Sequence, residues 1–129
     1  MTGKLIHIIL VEDNPGDALI IKEMLKDIYD DDFNLEHFQR VEEGVKHLNE
    51  DFDIMLLDLN LPDSQGFNTF KIMNENAPEL PIIILTGLVD EDLAINIVSE
   101  GAQDYLVKGQ IDRQLLSRNH TSRCRCQFL

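Results

Sequence analysis

At 129 residues, 43% of them hydrophobic, the chain holds enough apolar material for one core and too little for two ordinary domains. It carries 24 Asp and Glu against 11 Lys and Arg, a formal net charge of -13, which argues against a direct partner of nucleic acid. The longest apolar runs, 5–11 around His7 and 82–85, are far below the ~20 residues a membrane helix needs, and no basic stretch leads into a longer one at the start, so no membrane association and a cytoplasmic location are expected.

Residues 5–11 form a nearly continuous β-branched and apolar run, the pattern of a strand covered on both faces, and it stops at the acidic pair Glu12 and Asp13. Asn14 is placed to cap a helix with Pro15 at its first position, and Ala18, Ile21, Leu25 and Ile28 then recur at helical spacing. Residues 33–38 suggest a short second strand, and Val41, Val45 and Leu48 a second helix. A third strand over 54–57 also ends in a carboxylate, Asp58, before a turn-rich stretch from Asn60 to Gly66. Phe67, Phe70, Ile72 and Met73 mark a third helix closed by Pro78, and 82–85 reads as a fourth buried strand ending at Thr86 and Gly87. Leu93 with Ile97 and Ala94 with Val98 form a double stripe, core packing first, on a fourth helix that Gly101 terminates. Residues 105–107 make a fifth strand with Lys108 and Gly109 just beyond it, and Ile111, Leu115 and Leu116 begin a fifth helix.

Strands alternating with helices at this spacing imply an α/β fold with a parallel sheet covered on both faces. Right-handed crossovers leave few topologies, and a doubly wound five-stranded sheet of flavodoxin-like order 2-1-3-4-5 is the expected one. Ligands of such sheets sit beyond the carboxyl ends of the strands, where this chain carries Glu12, Asp13, Asp58, Thr86 and Lys108. Three carboxylates in one crevice repel each other unless a cation or protons compensate, and oxygen-only ligation points to Mg²⁺. One ammonium, Lys108, and one hydroxyl, Thr86, suit the far side of an anionic group held among them, and a phosphoryl group is the expected occupant.

The segments VEDNPGD, LLDLNLPDSQG, IIILTG and DYLVKG, in this order on successive strand ends, resemble the receiver domain of two-component response regulators over about residues 4 to 116. The resemblance implies that Asp58 is the phosphoacceptor and that Asp13 with Glu12 holds Mg²⁺. Glu12 stands where the family more often has a second Asp, and is expected to act through a metal-bound water. The backbone carbonyl of Asn60 would complete the protein ligands, Thr86 and Lys108 would hold phosphoryl oxygens, and Tyr105 would be the switch aromatic. The implied reaction is in-line attack by Asp58 on the phosphohistidine of a histidine kinase or phosphotransfer protein, giving an acyl phosphate that water later hydrolyses. On this reading the chain is no turnover enzyme but a signalling switch that catalyses its own phosphotransfer and slow autodephosphorylation. Drawing Thr86 toward the phosphoryl group frees space for Tyr105 to rotate, which biases the face of the fourth helix, fifth strand and fifth helix toward output or self-association.

Readings from other classes fit less well. A haloacid-dehalogenase-type phosphatase needs a second Asp two residues after its nucleophile, where this chain has Asn60, and a flavodoxin would meet FMN phosphate with the repelling Glu12 and Asp13. A receiver-like module that binds partners without phosphorylation would not need the full set of chemical residues found here. His7, His37, His47 and His120 show no mutual spacing that suggests a metal site and read as structural or solvated; Cys124, Cys126 and His120 lack a second ligand pair for zinc.

The departures from the family lie at the C-terminus. Residues 1–111 hold 23 acidic and 7 basic side chains, whereas residues 112–129 hold 1 acidic and 4 basic ones. The expected organisation is a single receiver domain over 1–129, with its core at 4–116 and an atypical segment at 117–129. Gly109 replaces the usual proline after the lysine, so a trans Lys108–Gly109 bond is expected. The apolar stripe stops at Leu116, so the fifth helix should be short, with Phe128 and Leu129 as apolar anchors of an irregular tail. A stand-alone receiver, or one cut from a longer kinase or regulator, fits the length.

Overall fold

The computed structural model describes residues 5–108. Along the chain run β1 (Ile6–Val11), α1 (Pro15–Tyr29), β2 (Phe33–Phe38), α2 (Val41–Lys46), β3 (Ile54–Asp58), β4 (Asn60–Leu61), β5 (Ser64–Gln65), α3 (Phe67–Asn76), β6 (Ile82–Thr86), α4 (Glu91–Ser99) and β7 (Asp104–Val107), with a 3-10 turn over Leu88–Asp90. Five strands form one parallel sheet of order β2-β1-β3-β6-β7, while β4 and β5 pair as a separate antiparallel hairpin. The expected sheet order holds once that hairpin is set aside. The stretch between Asn60 and Gly66, expected as plain turns, is long enough to pair with itself.

Adjacent residues of each strand point to opposite faces, which is why the central strands read as unbroken apolar runs. Ile9, Val11, Met55, Leu57, Ile82 and Ile84 join residues of α2, α3 and α4 on one face. Ile8, Leu10, Ile54, Leu56, Ile83, Leu85 and Leu106 meet Ala18, Ile21, Met24 and Leu25 of α1 on the other. The α4 stripe divides as packing requires: Ala94 and Ile97 are fully buried, Leu93 and Val98 partly so.

Local signals set several boundaries. Asn14 caps α1 by accepting hydrogen bonds from the amides of Gly16 and Asp17, with Pro15 in the first turn. Gly66, at φ 69, makes the left-handed step from the hairpin into α3, and Gly101, also at positive φ, follows the Glu100 C-cap of α4. The second helix is shorter than its apolar spacing predicts: it stops at Lys46, and Leu48 sits in a following turn whose amide bonds to the Val45 carbonyl. Its Arg40 N-cap offers no side-chain bond; Asp63 of the hairpin supplies one instead, accepting from the Val41 and Glu42 amides at 3.0 Å each. The fifth helix, the tail and the Lys108–Gly109 bond lie outside the described residues.

Candidate functional site

The carboxyl ends of β1, β3, β6 and β7 open into a cleft of about 410 Å³ lined by Glu12, Asp13, Asn14, Pro15, Asp17, Asp58, Asn60, Gly87, Asp90 and Lys108. Glu12 follows β1 and is pinned to β2 from both sides: its amide donates to the Phe38 carbonyl at 2.9 Å and its carbonyl faces His37 Nε2 at 2.7 Å. Its side chain is fully buried. Oε2 accepts from the Asn14 amide, so the loop into α1 is built around this carboxylate. Asp58 ends β3 and is 3% exposed, with Oδ1 accepting from the Asn60 amide at 3.3 Å. Glu12, Asp13 and Asp58 each offer a carboxylate oxygen, all within 4.8 Å of one another.

Lys108 spans this acidic group. Its Nζ lies 3.0 Å from Glu12 Oε1, 3.3 Å from Asp58 Oδ2 and 3.1 Å from Asp17 Oδ2, and donates to Glu12 Oε2 at 3.2 Å. Burial alone would push the Lys108 ammonium down, but the facing charges of Asp58 and Glu12 outweigh it and hold the group well above its ordinary range. Burial, and then the charge of Asp58, raise Glu12 to about 7 against the pull of Lys108. A single ammonium therefore does not neutralise the cleft, and Glu12 Oε1 makes no hydrogen bond among the described residues. An oxygen donor set with excess negative charge, in which buried Glu12 Oε1 has the Lys108 ion pair but no hydrogen bond, fits a hard divalent cation.

Thr86, buried at the end of β6, donates its hydroxyl to the Gly87 carbonyl at 3.2 Å. Tyr105 sits on neighbouring β7 in register with Ile84, two residues before Thr86 and so on the same face of the sheet. Its hydroxyl donates to Glu91 Oε2 at 2.7 Å, tying the ring to the first turn of α4. The residues singled out from the sequence thus gather at one end of the sheet, with Tyr105 on the flank facing α4. Two further acids, not marked as candidates by the sequence, join them. Asp17 reaches Lys108 from the first turn of α1, and Asp90 accepts from Asn60 Nδ2 at 3.4 Å. Asp17 stands three residues after the Asn14 cap, and that spacing was the available signal; nothing local marks Asp90.

A family model, the response regulator receiver domain, matches residues 8–119. The chain belongs to that family. The cell cycle response regulator CtrA of Brucella ovis is 34% identical over 116 residues, covering 88% of this chain and 48% of the relative, so the chain spans about half the length of the curated relatives it matches. Among solved structures, the N-terminal receiver domain of a two-component response regulator from Bacteroides fragilis superposes with a TM-score of 0.76 at 28% identity, covering 88% of this chain and 93% of that one. The receiver domain of a sensor histidine kinase from Pseudomonas aeruginosa PAO1, solved with magnesium coordinated in its active-site cleft, gives a TM-score of 0.66 at 25% identity over 88% of this chain and 96% of that one. The chain is a phosphoacceptor switch of the two-component type, built on the flavodoxin-like sheet. No helix among the described residues is long and apolar enough to cross a membrane.

Proposed function

We propose that Asp58 accepts a phosphoryl group from the phosphohistidine of a histidine kinase or phosphotransfer protein, with Glu12, Asp13, Asn60, Thr86 and Lys108 as the residues that make the transfer efficient. The observation that carries this reading is the buried Asp58 carboxylate, which opens into an acidic cleft and lies 3.3 Å from the Lys108 ammonium lining the same cleft. The carboxylate forms the new O–P bond as the P–N bond to histidine breaks. Mg²⁺ held by Asp13, Asp58 and the Asn60 carbonyl, with Glu12 in its outer sphere, would offset charge on the phosphoryl oxygens; magnesium in the corresponding cleft of the Pseudomonas receiver supports this. Lys108, already among carboxylates, pairs with the phosphoryl oxygens once Asp58 is modified.

Thr86 exchanges the Gly87 carbonyl for a phosphoryl oxygen, and Tyr105 follows into the space behind it, loosening its bond to Glu91. The face of α4 and β7 then changes, and it carries the half-exposed Ile95 as surface for a target or a second copy. Leu19 and Ile20, about half exposed just beyond Asp17, offer apolar surface beside the cleft to the phosphodonor. The receiver unit is read as 1–129 with its core at 4–116, and slow autodephosphorylation by water returns it to rest.

The test is treatment with acetyl phosphate or phosphoramidate and Mg²⁺, followed by intact mass measurement. One acid-stable, base-labile phosphoryl group is expected on the protein and none on Asp58→Asn. Equal uptake by both would place the acceptor elsewhere, and no uptake by either would favour a module that works without phosphorylation.

A further inference from the structure

At the opposite end of the sheet from Asp58, the fold assembles a nitrogen and oxygen cluster that the phosphotransfer does not use. His7 lies near the start of β1, Glu36 on β2, and Glu50 in the turn that leads into β3. One ligand atom from each lies within 4.8 Å of the other two, and His7 Nε2 stands 3.0 Å from Glu36 Oε2.

The imidazole is held as a ligand would be. Its backbone is clamped by a reciprocal pair with Asp53, the His7 amide donating to Oδ2 at 2.8 Å and the Asp53 amide to the His7 carbonyl at 2.7 Å. Its ring packs on Phe52 with centroids 4.4 Å apart. Nδ1 faces the Asp51 carbonyl at 3.0 Å, an oxygen that can only accept, so Nδ1 carries the proton. Nε2 is thereby aimed at the Glu36 carboxylate, again only an acceptor, and either a second proton or a metal must stand between them. A ring nitrogen bonded to a backbone carbonyl is the usual outer-sphere arrangement that fixes a metal-binding histidine. Glu50 has its own support: His47 Nδ1 lies 2.8 Å from Glu50 Oε2, and this hydrogen bond lowers its carboxyl below the ordinary range. No Lys or Arg pairs with Glu36 or Glu50 among the described residues. The cluster is half-exposed, and Glu50 also lines a neighbouring cleft of about 470 Å³, so an ion has a path in.

We propose that His7, Glu36 and Glu50 form a second cation site, selective for a borderline divalent ion of the zinc class over Mg²⁺, with His47 positioning Glu50. One imidazole and two carboxylates with solvent at the fourth position suit tetrahedral Zn²⁺, whose ligands stand ~3.3 Å apart, a spacing that small side-chain rotations reach from the distances here. Mg²⁺ demands oxygen and octahedral geometry and gains nothing from Nε2.

The experiment is a calorimetric Zn²⁺ titration of the full chain carrying Cys124→Ser and Cys126→Ser, which removes the tail thiols, in millimolar Mg²⁺. One equivalent is expected to bind, with a rise in melting temperature. His7→Gln, Glu36→Gln and Glu50→Gln should each weaken it at least ~tenfold, and His47→Gln by less. Glu36 and Glu50 are exposed enough for their variants to fold even where the His7 change does not. Asp13→Asn, in the phosphoacceptor cleft, should leave the affinity unchanged. Absence of binding, binding indifferent to Glu36→Gln and Glu50→Gln, or binding lost in Asp13→Asn would overturn the proposal. Phosphoryl uptake at Asp58 is a separate readout, so failure of either assignment leaves the other standing.

Discussion

The two ends of the sheet gather carboxylates under opposite conditions. At the carboxyl end, Glu12 and Asp58 are buried and share one ammonium, Lys108, with Asp17. At the amino end, Glu36 and Glu50 stay half-exposed and face the imidazoles of His7 and His47. The same residue type responds in opposite directions: burial and the Asp58 charge raise Glu12 to about 7, while the His47 hydrogen bond lowers exposed Glu50. Desolvation, rather than the number of acids, decides which cluster costs stability. The carboxyl-end cleft is therefore kept at an energetic disadvantage that a bound cation relieves.

The largest effect that would break this contrast is removal of the shared cation. Lys108→Met leaves buried carboxylates uncompensated and should cost about 3 kcal/mol in urea denaturation at neutral pH without divalent ions, with part recovered in Mg²⁺. A small loss would mean the cleft is better solvated than its burial suggests. Next comes the ion: Mg²⁺ at about a hundred times its dissociation constant should stabilise the protein by about 2.7 kcal/mol, an effect absent in Asp13→Asn. An equal shift in both proteins would detach Mg²⁺ from the three carboxylates.

Glu12 sharpens the contrast through pH. Its native value of about 7 exceeds its ordinary 4.5, so between them the native state keeps a proton that the unfolded chain has released. In Mg²⁺-free buffer its contribution is fully present below 4.5 and is lost as pH rises through about 7. Glu12→Gln should therefore gain on the parent protein across that window, by on the order of 1–3 kcal/mol. Parallel pH profiles would refute the assignment. Glu50→Gln should show the reverse sign and a smaller effect: the native carboxyl lies below its ordinary 4.5, so the parent protein's advantage is present above that value and disappears on acidification. Smaller still in reach is Asp63→Ala, which removes the borrowed cap of α2 and should cost ~1 kcal/mol, measured by thermal or urea unfolding. Burial works against ionising Asp63, but the Glu42 and Val41 amides outweigh it and lower its carboxyl, so this contribution should fade as pH falls below the ordinary 3.8.

Much of this protein was legible in the chain because its signals are local. A strand buried on both faces must be apolar at consecutive positions, so 5–11, 54–57 and 82–85 announce themselves, and Asn14–Pro15 marks the start of α1 through the chemistry of a helix end. Once the strands are fixed as parallel, their last residues share one end, which is why the chain alone assigns Glu12, Asp13, Asp58, Thr86 and Lys108 to that end. What depends on distant pairings was not legible. Leu48 kept the period of α2, yet the helix ends at Lys46; its first turn is capped from Asp63, across the hairpin formed by β4 and β5. Asp90 meets Asn60 across 30 positions, and His7 meets Glu36 across 29 and Glu50 across more, so no spacing along the chain announces either encounter. Local sequence fixes where a strand runs and what it ends in, because burial acts residue by residue. Only tertiary structure decides which side chains become neighbours and how far water is excluded from them, and those two conditions raise Glu12 and lower Glu50.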